Sequence, residues 1–220
     1  MAVYTEAMKA AIFDLDGVVV YTDAYHTRAW KRMCEEQGWT FQESFADQLR
    51  GVSRMASLDI ILEANGVDIP DEEKERLAGV KNEYYKALLA DIDESALVAG
   101  AVDFVRALKE HGLLIGLGSS SRNAQMVLDR LELTPLFDTI VTGHDITRSK
   151  PDPQIFLMGA ERLGVAPADC VVFEDAASGV EAALAGGMTA VGFGPSEGLE
   201  GAQIRALSYT ELSPAEIAAR

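Results

Sequence analysis

The chain has 220 residues, 48% of them hydrophobic, and its 19 Lys and Arg against 35 Asp and Glu leave a net charge of −16. That length suits one large α/β domain or a domain with a sizeable insertion, and the apolar share fills a packed core, which excludes a disordered chain. The acidic balance excludes nucleic acid and anionic membranes as partners, because both recruit basic patches, and no apolar run approaches the ~18 residues of a membrane span.

In chain order, the segment 10–20 opens as an apolar strand candidate and delivers Asp14 and Asp16, followed by Gly17. Two carboxylates one residue apart repel each other, and a shared cation or proton relieves the cost. The pair is therefore a candidate for divalent-metal binding with one carboxylate left for chemistry. From Ala24 to about Gly38 the pattern turns helical, with Trp30, Met33 and Cys34 on one face. Residues 40–95 read as further helices broken by Gly51, Asn65-Gly66 and Ile69-Pro70-Asp71, with no strand pattern.

After Gly100 the character changes. Helix 101–111, strand 113–118, helix 122–132, strand 139–141, helix 152–163, strand 171–173, helix 176–185 and strand 189–191 follow in strict alternation. Near-continuous apolar strands alternating with helices indicate a parallel sheet covered on both faces. The expected fold is α/β: a doubly wound, Rossmann-like parallel-sheet core (1–19 and 96–220) with an inserted α-helical cap (20–95). The two cysteines, Cys34 and Cys170, lie far apart without metal-type spacing. Reduced, structural thiols in a cytoplasmic protein are expected, since the amino terminus also lacks a secretory pattern.

Ligands bind such sheets at the carboxyl ends of the strands. That rule gathers four loops, 14–17, 118–123, 143–152 and 174–179, around one crevice. The first carries Asp14 and Asp16. The second, Ser119-Ser120-Ser121-Arg122-Asn123, offers hydroxyls and a helix start for phosphate oxygens. The third has Lys150 before Pro151, a compact charge for a phosphoryl group. The fourth is Glu174-Asp175, a second acidic pair. Each piece alone reads as an ordinary turn, cap or solvated loop; four in order at successive strand ends do not. Gly116-x-Gly118 is no dinucleotide fingerprint, because Ser121 stands where the third glycine belongs.

Asp14-Leu15-Asp16-Gly17-Val18, Ser119, Lys150-Pro151 and Glu174-Asp175 together resemble the haloacid dehalogenase superfamily of phosphotransferases nearly end to end. The resemblance implies Asp14 as the nucleophile that becomes an aspartyl phosphate and Asp16 as general acid/base. It implies Ser119 and Lys150 as holders of the transferring phosphoryl group. Magnesium is implied between Asp14, the Asp16 carbonyl, Asp175 and, directly or through water, Glu174. The residue types suit phosphoryl transfer, which depends on positioning and charge neutralisation.

Within the superfamily, the inserted segment resembles the β-phosphoglucomutase family through Tyr25-His26-Thr27-Arg28-Ala29-Trp30-Lys31, Leu49-Arg50-Gly51-Val52-Ser53-Arg54 with Ser57, and Lys81-Asn82. This implies sugar-phosphate contacts from His26, Trp30, Gly51, Val52, Ser53, Arg54, Ser57, Lys81 and Asn82, joined by Ser120, Ser121, Arg122 and Asn123. Arg54, Ser121 and Asn123 would hold the idle phosphate, His26 and Lys81 would link the cap to Asp16, and Trp30 would wall the sugar pocket. One departure stands in the hinge, Val19-Val20-Tyr21-Thr22, where relatives often carry Thr or Asp before the Thr.

The expected function is therefore a magnesium-dependent, monomeric phosphomutase that interconverts β-glucose 1-phosphate and glucose 6-phosphate through a 1,6-bisphosphate. A sugar-phosphate phosphatase on the same scaffold and a non-catalytic sugar-phosphate sensor are its competitors.

Overall fold

The computed structural model describes residues 7–42, 44–49 and 52–220. Among these, six strands form one sheet: β1 (Ala10–Phe13), β2 (Leu114–Gly118), β3 (Thr139–Val141), β4 (Cys170–Glu174), β5 (Thr189–Phe193) and β6 (Ile204–Ala206). Every pairing is parallel, and the order is β3-β2-β1-β4-β5-β6. The chain thus runs outward from β1 on one side and restarts with β4 on the other, so the order reverses at β1, whose end carries Asp14. The register sets Phe13 beside Leu117 and Phe173, and Asp14 N–H donates to the Phe173 carbonyl at 2.9 Å.

Strand alternation explains how both faces are buried. Ala11, Phe13, Val171, Phe173 and Val191 join one core cluster, whereas Ala10, Ile12, Cys170, Val172 and Ala190 join another. Each face demands apolar residues, so a buried parallel strand reads as a continuous apolar run.

Between β1 and residue 96 the described residues form four α-helices: α1 (Asp23–Gln37), α2 (Phe45–Gln48), α3 (Arg54–Ala64) and α4 (Asp71–Leu88). They bury a core of their own from Trp30, Met33, Cys34, Phe45, Leu58, Ile61, Leu62 and Leu77. The helical stripe expected at Trp30, Met33 and Cys34 faces that core. α4 starts at Asp71 behind Pro70, with Asp71, Glu72 and Glu73 in its first turn, where carboxylates complement the helix dipole.

The sheet is covered on the first face by α5 (Ala101–Glu110) and α6 (Ala124–Arg130), which bury Phe104, Val105, Leu108, Val127 and Leu128. The second face takes α7 (Gln154–Leu163) and α8 (Ala177–Ala185), through Ile155, Phe156, Ala160 and Val180, while α9 (Pro214–Ala218) returns to the first face through Ile217. Cys34 and Cys170 are both buried and free. No helix among the described residues is long and apolar enough to cross a membrane.

Two sequence expectations need correction. The first strand ends at Phe13 rather than Val20. The chain turns at Gly17 (φ 74°), Val19 and Val20 N–H groups return to the Leu15 carbonyl, and Val20 forms isolated bridges to Asp16 and Leu97. Val18, Val19 and Val20 are apolar because this turn is buried, not because it is extended. β6 was not expected, because its three residues Ile204-Arg205-Ala206 carry no apolar run; as an edge strand it buries only Ala206 fully.

The carboxyl-terminal part is tied to the turn after β1. Tyr209 is buried against Phe193 and Phe104, at ring separations of 4.4 and 4.8 Å, and its hydroxyl donates to the Val18 carbonyl at 2.8 Å. Tyr209→Phe keeps the packing and leaves a buried carbonyl without its donor. It is expected to lower stability by about 1–3 kcal/mol, read as a lower urea midpoint at unchanged slope.

Candidate active site

The four strand-end loops do meet. Together with α1, α3 and α4 they enclose a cavity of about 620 Å³. Asp14, Asp16 and Asp175 line it from the first and last loops, Ser119 to Asn123 from the second, and Ile146, Thr147 and Ser149 from the third. The helical unit contributes His26, Trp30, Val52, Ser53, Arg54, Ser57 and Lys81. Arg50 and Gly51 lie outside the described residues.

Lys150 stands behind this lining, its side chain wholly buried. Its Nζ donates to Asp14 Oδ1 at 2.5 Å and to Glu174 Oε1. Burial works against the ammonium charge, but Asp14 and Glu174 outweigh it and hold Lys150 above the ordinary lysine value. Glu174 faces away from the cavity. Its other carboxylate oxygen accepts from Ala176 N–H at 3.0 Å. Glycines make the closeness of these groups possible. A Cβ on Gly17 would overlap the Asp175 carboxylate, and one on Gly179 would overlap that of Glu174.

The floor is short of positive charge. Asp14, Asp16, Glu174 and Asp175 gather around one lysine. Burial raises the Asp14 pKa, Lys150 offsets only part of this, Glu174 adds to it, and the value is pushed up to about 7. Asp16 opens to the cavity on one side and is enclosed by protein on the others; burial and the neighbouring Asp14 charge raise it well above the carboxylate range. A hard divalent cation fits that deficit and that all-oxygen donor set. Among the described residues no three acidic, His or Cys side chains form a complete cage. Two carboxylates, a backbone carbonyl and ligand or water oxygens suit magnesium, which keeps several non-protein ligands.

The serine loop carries both its structural and its functional reading. Ser119 and Ser121 hydroxyls accept the N–H groups of Ser121 and Asn123 at 3.2 Å each, shaping the turn into α6. Ser120 Oγ is buried with no partner among the described residues, and its residue lines the cavity, where a phosphate oxygen would satisfy it.

On the helical side the polarity reverses. Lys81, 2% exposed, sets its Nζ in a hydrogen bond with His26 Nδ1 at 2.8 Å and lies 4.8 Å from the Trp30 ring centre. Burial, then Arg54, bring its pKa down to about 7. Burial, then Lys81 and Arg54, hold His26 well below its usual value, so it is neutral at pH 7. The Arg54 guanidinium is lowered by burial and then by the Arg122 charge. Arg54 and Arg122 therefore converge on the same space from α3 and from the loop before α6.

The sequence matches one family model, described as a haloacid dehalogenase-like hydrolase, over residues 8–187. The chain belongs to this family. It is 39% identical to a β-phosphoglucomutase of Bacillus subtilis over 94% of this chain and 92% of that protein. A crystal structure of β-phosphoglucomutase from Clostridium difficile superposes with a TM-score of 0.90 at 37% identity, covering 96% and 95% of the two chains. A phosphorylated carbohydrates phosphatase of Thermotoga maritima is 36% identical over 82% of each chain. The protein is thus an enzyme of the haloacid dehalogenase-like family, and its resemblance to β-phosphoglucomutases holds along nearly the whole chain.

Of the expected contacts, Asn82 alone among the described cap residues misses the main cavity. Its Oδ1 accepts from Asn123 Nδ2 at 2.7 Å, a buried amide bridge between α4 and the loop before α6. Trp30 is both core and cavity wall: 2% exposed, it joins the helical core and lines the site. Sequence reasoning missed two network members. Thr22 Oγ1 donates to Asp16 Oδ1, and Tyr85 stacks on His26 at 4.0 Å. Tyr85 stands four residues after Lys81, so helical spacing was its signal. Thr22 had none, because only the turn at Gly17 brings it back to Asp16. In the hinge departure, Val20 is buried and Tyr21 is 55% exposed.

The cationic wall has a consequence for this family member's stability. In the unfolded chain Lys81 keeps its proton to about pH 10.5, whereas in the folded chain it releases it near 7. Between those values the unfolded state binds more protons, so stability rises with pH. Lys81→Met is expected to flatten that rise, measured as urea midpoints between pH 7 and 10.

Proposed function

We propose that the protein is a phosphomutase that interconverts β-D-glucose 1-phosphate and glucose 6-phosphate through an aspartyl phosphate on Asp14 and a 1,6-bisphosphate. Residues 20–95 serve as the cap that selects the sugar. One observation carries the mutase reading: Arg54 and Arg122 line the main cavity together as a second cationic centre, apart from Lys150 behind its floor. Two phosphates need two grips, and a guanidinium fork is suited to hold one of them.

In the transfer, an Asp14 carboxylate oxygen attacks phosphorus of the bisphosphate, and the bond from phosphorus to the sugar oxygen breaks. Asp16, kept protonated by its surroundings, gives its proton to the departing oxygen. Lys150 and Ser119 hold the phosphoryl oxygens, and the idle phosphate rests between Arg54, Arg122, Ser121 and Asn123. In the second half, Asp16 takes the proton from the incoming sugar hydroxyl, which attacks the aspartyl phosphate and frees Asp14. Asp14, Asp175, the Asp16 carbonyl and, directly or through water, Glu174 would hold a magnesium ion, which would supply charge neutralisation at the phosphoryl oxygens. His26, neutral and braced by Lys81 and Tyr85, faces the sugar.

The competing reading replaces the sugar hydroxyl by water, and the 36% identity to a Thermotoga maritima phosphatase favours it. Phosphorus NMR of β-glucose 1-phosphate with enzyme, magnesium and a trace of glucose 1,6-bisphosphate separates the two. Glucose 6-phosphate is expected; inorganic phosphate as the sole product would give the phosphatase first place.

Two variants extend the test. Asp14→Asn is expected to fold and to lose turnover and protein phosphorylation, because an amide does not attack phosphorus; a phosphorylated variant would displace Asp14 as the covalent site. Arg54→Ala is expected to cut glucose 6-phosphate formation about ten- to a hundredfold, from the ~1.5–3 kcal/mol of a charge-assisted contact. Release of phosphate to water should change little or rise.

A further inference from the structure

A second cavity, of about 320 Å³, adjoins the first and shares Arg54, Arg122 and Asn123 with it. Its remaining lining includes Lys86 of α4 and His144 of the loop after β3, and among the described residues no carboxylate lines it. Its base is the buried Asn82–Asn123 bridge. In a chain of net charge −16, three strong cations and an imidazole around one acid-free hollow is a local inversion of the surface field.

That inversion answers a physical difficulty. A sugar phosphate dianion is repelled by an acidic protein until it comes within roughly 8 Å, the screening length at physiological salt, where local charges decide. The main cavity carries acidic residues of its own, Asp23 and Glu75 among them. The second cavity presents cations alone, and two of them are the arginines that also face the main cavity. An anion that settles between Lys86 and His144 is already in contact with the phosphate grip.

We propose that the second cavity is an anion-capture vestibule through which phosphorylated sugars reach the catalytic cavity, with Lys86 and His144 as steering residues. This deepens the function proposed above and rests on it for the substrate class, a sugar carrying one or two phosphate dianions. Glu83 tunes the vestibule from outside. Its carboxylate pairs with Lys86 at 2.9 Å and lies near enough to Arg54 to raise its pKa, so it reduces the positive field without lining the hollow.

The two signs of charge change give opposite expectations. Association of β-glucose 1-phosphate is followed by stopped-flow tryptophan fluorescence, since Trp30 lines the main cavity, so the readout does not depend on which product forms. At low ionic strength Lys86→Glu should slow association about three- to tenfold, within the range of electrostatic steering. Glu83→Gln should speed it, and both differences should shrink as salt is raised. His144→Ala should slow it less than Lys86→Glu. Lys109→Glu, on a surface lysine paired with Asp138 outside both cavities, is the control expected to leave association unchanged. Steered association should appear in kcat/KM more than in kcat. Unchanged association in Lys86→Glu and Glu83→Gln, with β-glucose 1-phosphate still bound, overturns the vestibule alone. Failure of the parent enzyme to bind it overturns the function and the vestibule together. Binding followed only by release of phosphate overturns the mutase and leaves the vestibule standing.

Discussion

The site depends on one buried ion cluster, Lys150 between Asp14 and Glu174. An ammonium with no solvent contact is tolerated only because two carboxylates compensate it, and removing one partner of such a cluster typically costs about 3–5 kcal/mol. The cluster also ties three separate loops, after β1, β4 and before α7, into one floor. Its compactness relies on absent side chains: Gly17 lets Asp175 in, and Gly179 lets Glu174 in. The positions of Asp14, Lys150, Glu174 and Asp175 are therefore a single packing solution rather than independent ones.

Around that floor the charges are sorted by side. The sheet supplies carboxylates in excess, while the helices and the serine loop supply Arg54, Lys81 and Arg122, whose mutual repulsion and burial lower Arg54 and Lys81. Neither side is satisfied by itself. A ligand carrying phosphate at one end and meeting a cation at the other relieves both. A protein with so negative a net charge can thus offer an anion a cationic wall, because the overall charge describes the envelope and not the helical side of the cavity.

The helical unit meets the core through an apolar seam that includes Ala29, Tyr85 and Leu89, and through directional polar contacts. Thr22 reaches Asp16, Asn82 receives a hydrogen bond from Asn123, and Tyr85 with Lys81 braces His26. Polar bridges of this kind fix orientation, and they bring Asp16, His26 and Lys81 into one network that spans the helical unit and the sheet.

Much of this was legible in the sequence, for a physical reason. Strands buried on both faces must be continuously apolar, so β1, β2, β4 and β5 announced themselves, and the crevice rule for such sheets then placed Asp14, Asp16, Ser119, Asp175 and the Arg122 loop around one cavity. Helical spacing likewise gave the core stripe of Trp30, Met33 and Cys34. The tertiary structure alone decided what depends on distant segments meeting. It ended β1 at Phe13, since burial and extension leave the same apolar signature in Val18 to Val20. It turned Glu174 behind the cavity toward Lys150, brought Thr22 to Asp16, and moved Asn82 from the substrate wall to a bridge with Asn123. It also opened a second, acid-free cavity beside the first. Composition and periodicity record what a residue avoids, water or apolar surroundings; which partner it finds is fixed only when the chain has closed.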